Sequence, residues 1–107
     1  MDLIVNLENM LAAGQDSPAL RYGLGNAYLG QGQADKAVEH LAQAVNQNPS
    51  YSAAWKLLGK ALAETGRVAE AATAYESGIR VAEVAGDVQA AKEMHVFLRR
   101  LKRANNP

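Results

Sequence analysis

The 107 residues are 49% apolar and 21% charged, with 11 basic and 11 acidic side chains, a balance that fits one small folded domain and excludes a disordered polyelectrolyte. The absence of cysteine excludes a disulfide framework, a thiolate zinc site, an iron–sulfur cluster and a cysteine nucleophile together. Against 12 valines, isoleucines and threonines stand 21 alanines, so the composition favours helices over strands.

The chain opens Met1-Asp2-Leu3-Ile4-Val5-Asn6-Leu7-Glu8, with an acid where a signal peptide carries basic residues. A first helix and a cytoplasmic location are expected, and no apolar run approaches the ~20 residues of a membrane span. Gly14-Gln15-Asp16-Ser17-Pro18 ends that helix and places Ser17 to cap a second one, with Pro18 in its first position. Gly30-Gln31-Gly32-Gln33 separates the second helix from a third, which runs to Asn46-Gln47-Asn48-Pro49-Ser50. Ser50 or Ser52 is expected to cap the fourth. Thr65-Gly66-Arg67 and Ala85-Gly86-Asp87 bound a fifth helix, and Asp87 is expected to cap a sixth that ends near Arg103. Such short connections make successive helices antiparallel hairpins, so the expected fold is all-α with about six helices.

A self-comparison shifted by 34 residues aligns the two central hairpins. Leu24 falls on Leu58, Gly25 on Gly59, Gly32 on Gly66, Ala37 on Ala71 and Ala44 on Gly78, while Tyr28 falls on Leu62 and Leu41 on Tyr75. Small residues at 25, 37, 59 and 71 let paired helices cross closely, and the large apolar ones fill the space between neighbours. Trp55-x-x-Leu58-Gly59, Leu24-Gly25-x-x-Tyr28, Ala71-x-x-x-Tyr75 and Pro49 together resemble the tetratricopeptide repeat. The resemblance implies an α-solenoid with a right-handed superhelix.

On that resemblance one domain covers 1–107, divided into an N-terminal half-unit helix at 1–17, repeats at 18–51 and 52–85, and a capping helix at 86–107. Shifting by 34 puts Leu3, Leu7 and Met10 on core positions of the half-unit. The sequence departs from the family pattern at Arg21 for Trp, Leu62 for Tyr, Gly78 for Ala and Glu83 for Pro. The missing proline predicts that the fifth helix continues an extra turn, toward Gly86. The last helix offers Ala90, Met94, Phe97 and Leu101 on one face.

Catalytic patterns are thin. Gly23-x-Gly25 lacks the third glycine and the preceding strand of a nucleotide fingerprint. His40 and His95 lie on different units without an i+4 partner for a metal, and packing or exposure accounts for both. Asp35 with Glu39, and Glu83 with Asp87, read as solvated or dipole-stabilising helix charges. No enzyme activity, cofactor or metal is expected.

What the resemblance implies instead is a protein–protein interaction module that takes a peptide segment or partner helix in the concave groove lined by first helices. Carried over residue by residue, the groove positions are Ala19, Tyr22, Asn26 and Leu29, then Ala53, Lys56, Lys60 and Ala63, then Ala90, Met94 and Phe97 on the capping helix. Lys56 and Lys60 imply a partner with acidic residues near an apolar anchor. The family's clamp for chaperone C-terminal tails is matched only at Asn26, with Tyr22, Asp87 and Ala91 where basic residues belong. An alternative is a self-associating homodimer through terminal faces, Leu3, Leu7 and Met10 or Phe97 and Leu101. A further alternative is nucleic-acid binding by Lys92, Arg99, Arg100, Lys102 and Arg103, although charge at a helix C-terminus also explains that cluster.

Overall fold

The computed structural model describes residues 2–105, so the expected unit limits at residue 1 and at 106–107 lie outside the described residues. Six helices follow one another: α1 (Leu3–Ala12), α2 (Pro18–Gly30), α3 (Ala34–Gln47), α4 (Ser52–Glu64), α5 (Val68–Ala85) and α6 (Val88–Ala104). Among the described residues there is no strand. Each helix packs against the next, and the stack measures 44 × 31 × 20 Å. The fold is an all-α helical repeat.

Local chemistry sets most boundaries. Ser17 Oγ accepts from the Leu20 amide at 3.1 Å, Asp87 Oδ1 from that of Ala90 at 3.1 Å, and Asp2 Oδ1 from that of Ile4 at 2.9 Å. Each satisfies an amide that the helix itself leaves unpaired. The expected serine cap on α4 is not what forms. Tyr51 occupies the cap position without a side-chain bond, because Asn48 organises the turn: its Oδ1 accepts from the Ser50 amide at 3.1 Å and its carbonyl from the Tyr51 amide at 3.1 Å. As the missing proline predicts, α5 runs on to Ala85 and stops at Gly86, whose φ of 76° is left-handed.

Close helix crossings anchor the core. A Cβ on Gly25 would overlap the Leu41 side chain, and one on Gly59 would lie 2.5 Å from Tyr75 Cε1, so both glycines let a large partner sit directly on the helix backbone. Leu24, Leu41 and Met94 are the largest side chains buried completely.

The terminal helices depart from the 34-residue frame. In α1 the buried side chain is Ile4, with Leu7 and Leu11 packed beside it, whereas Leu3 and Met10 are 60% and 40% exposed. Their counterparts Ala37 and Ala44 are fully buried in the α2–α3 hairpin. No helix precedes α1 among the described residues to cover the corresponding face. In α6 the inward face is Ala91, Met94, Leu98 and Leu101, with Phe97 at its edge. That pattern matches Trp55, Leu58 and Leu62 of α4 and the Thr65 that follows it at a spacing of 36, two residues beyond the repeat period. The α5–α6 connection therefore moves α6 out of the frame assumed from the sequence.

Candidate peptide-binding groove

The alternate helices α2, α4 and α6 lie side by side and line one face of the stack. On α2, Tyr22 is half-buried and stacks on Tyr51 with ring centroids 5.1 Å apart and planes at 27°. Burial, and then the neighbouring Tyr22, raise the Tyr51 hydroxyl pKa, which favours its neutral form. Asn26 is exposed and Leu29 half-buried on the same helix.

On α4 the two lysines part company. Lys56 Nζ donates to Glu93 Oε1 of α6 at 3.1 Å, which ties its charge to the capping helix. Lys60 is exposed and has no ion-pair partner among the described residues. It shares a cavity of about 210 Å³ with Tyr75 and Phe97. Tyr75 and Phe97 meet at 5.9 Å with planes tilted by 45°, and burial, assisted by the Glu64 carboxylate, pushes the Tyr75 hydroxyl up to about 12. An ammonium at the rim of an aromatic floor can hold a carboxylate next to an apolar side chain.

Met94 is not a groove residue. It is fully buried, and a Cβ on Gly78 would come within 2.5 Å of its sulfur, so it serves the α5–α6 core. The two-residue displacement of α6 is the reason. The same displacement carries the clamp positions expected at Asp87 and Ala91 to Gln89 and Glu93, which are again not basic.

Absent from the expectations is a polar network that joins the first three helices. Asp16 accepts from Arg21 Nε at 2.9 Å and from an Arg21 terminal nitrogen at 3.0 Å, and also from Gln47 Nε2 at 3.0 Å. These bonds, Arg21 foremost, hold the Asp16 carboxyl down at about 2. The other Arg21 nitrogen donates to His40 Nδ1 at 3.1 Å, and a guanidinium has no acceptor, so His40 is neutral with its proton on Nε2. The Tyr28 hydroxyl donates to Glu8 Oε2 at 2.8 Å, and its ring stacks on His40 at 5.5 Å with planes 2° apart. Arg21 at a position where the family pattern has Trp was the one available sign of this network.

Among the described residues no cluster of three His, Cys, Asp or Glu could hold a metal ion, and no helix is long and apolar enough to cross a membrane.

Stacked antiparallel hairpins with glycine crossings and one face of alternate helices define an α-solenoid repeat. The tetratricopeptide-repeat family model matches residues 22–88, and the chain belongs to that family. It is 54% identical over 102 residues to TPR repeat-containing protein PA0015 of Pseudomonas aeruginosa, covering 95% of this chain and 97% of that one. The solution structure of protein BPP2914 from Bordetella parapertussis superposes with a TM-score of 0.84 at 46% identity, covering 98% of this chain and 91% of that one. The Sgt2 TPR domain from Aspergillus fumigatus superposes with a TM-score of 0.79 at 32% identity, covering 94% and 64% of the two chains. Domains of this family generally mediate protein–protein interaction.

Proposed function

We propose that this chain binds an extended peptide segment of a partner protein along the face formed by α2, α4 and α6, and that the segment carries an acidic residue beside an apolar anchor. The observation that carries this reading is the cavity of about 210 Å³ where Lys60 stands over Tyr75 and Phe97. A carboxylate reaches the ammonium while the adjacent apolar side chain enters the aromatic floor, and Tyr22, Asn26 and Leu29 continue the contact along α2. Lys56 acts through the structure, by fixing α6 beside α4, and Met94 has no part in contact.

Peptide display against the whole chain tests the reading. The expected enrichment is Asp or Glu next to Leu, Ile or Phe. Lys60→Glu should weaken the selected peptide about tenfold with folding retained, and the affinity should fall as salt rises. Enrichment without acidic residues, or an unchanged affinity in Lys60→Glu, would remove the groove assignment.

A further inference from the structure

We propose that Glu93 is a specificity-determining residue of the groove: by occupying Lys56 it admits a partner segment with one acidic side chain, held at Lys60, and disfavours a segment with two, an inference that rests on the groove reading above. Lys56 and Lys60 stand one turn apart on α4, about 6 Å along the helix axis. In an extended segment, side chains two residues apart point the same way and are separated by about 7 Å. The two ammonium groups are thus spaced to receive an acidic residue, one intervening residue and a second acidic residue.

Glu93 closes the first of these positions. Its Oε1 accepts from Lys56 Nζ at 3.1 Å, and both side chains are half-buried, where solvent screens the pair less than at an open surface. A ligand carboxylate at Lys56 meets the like charge of Glu93 and must displace it, losing one ion pair for the one it gains. Lys60 carries no such partner among the described residues, so the first carboxylate of a segment meets no competitor there.

The repeat does not require this pair. One hairpin earlier α2 and α4 pack side by side as α4 and α6 do. The residues corresponding to Lys56 and Glu93 there, at spacings of 34 and 36, are Tyr22 and Leu57, and neither is charged. Lys92, next to Glu93 in the chain, lines a cavity with Glu83 and His95 toward α5. Among the described residues Glu93 therefore pairs with Lys56 alone.

Display of random peptides against the wild-type chain and against Glu93→Gln tests the proposal. The amide keeps an acceptor for Lys56 and removes the charge, so α6 stays in place. Circular dichroism checks folding, and Glu93→Ala is a second neutral variant that should act in the same sense. The wild-type selection should show one acidic position, and the Glu93→Gln selection a second one two residues away. The peptide selected by the wild-type chain is then synthesised with Asp or Asn two residues before, and two residues after, its acidic position. The better placed Asp should bind about tenfold tighter than Asn on Glu93→Gln and no tighter on the wild-type chain. Lys56→Gln added to Glu93→Gln should abolish that gain. A wild-type chain that already prefers the second Asp, a Glu93→Gln chain indifferent to it, or a preference that survives the loss of Lys56 overturns the proposal and leaves the groove reading intact. A wild-type selection with no acidic position removes the groove reading, and this proposal with it.

Discussion

A methyl group on Gly59 would lie 2.5 Å from Tyr75 Cε1 and 2.7 Å from Cδ1, with the ring held at 4% exposure. A leucine there must displace the Tyr75 ring from the crossing, so Gly59→Leu should cost about 2 to 4 kcal/mol as an overpacked contact. Gln43→Leu on the exposed side of α3 should leave urea stability nearly unchanged, and equal losses in the two variants would place the crossing elsewhere. His40 sets a second residue-scale expectation. Burial first, and the Arg21 guanidinium with it, depress its pKa below the ordinary value near 6.5, against the opposing pull of Glu8. The neutral ring is the folded form, so the stability it carries is present above about pH 6.5 and is lost as pH falls through the depressed folded value. Thermal melts should show a drop from pH 7.5 toward pH 5 that a His40→Phe variant does not share; identical slopes in both chains would assign the drop to other groups.

At the scale of whole helices, α6 is the informative one. Its Met94, Ala91 and Leu98 cover Tyr75, Ile79 and Ala82 of α5, and Lys56–Glu93 pins it to α4. Removing residues 87–107 bares that apolar surface on a short stack, so the truncated chain should aggregate or melt broadly. A sharp transition near the full-length temperature would make α6 an appendage. Its existence was legible from Asp87 and the apolar spacing, but its register was not. The sequence-based frame carried the 34-residue period into a connection that adds two residues, and this turned Met94 inward and left Lys56 opposite Glu93. Period and turn signals report chain-local geometry, which is why the six helices, the Ser17 and Asp87 caps and the glycine crossings could be read from them. They say nothing of pairs such as Tyr28 with Glu8 or Arg21 with His40, which are 20 and 19 residues apart and join only in the fold. Lys56 and Lys60 look alike in sequence for the same reason, although the fold neutralises the first and exposes the second.

Across the whole molecule each helix rests mainly on its sequence neighbours, so stability is distributed along one dimension and depends on how many neighbours an element has. The central helices α3 and α4 are packed from both sides, whereas α1 packs on α2 alone and keeps only Ile4 fully inside. What holds α1 beyond that contact is the Glu8 bond to Tyr28 and the edges of Leu7 and Leu11. Amide hydrogen exchange should therefore run fastest in α1 and slowest in α3 and α4. Glu8→Ala should speed α1 further while leaving α4 unchanged, because the lost bond lies outside the central units. Uniform protection from α1 to α6, or a Glu8→Ala effect spread evenly over the chain, would instead describe a single cooperative block, and the end helices would then carry as much of the fold as its middle.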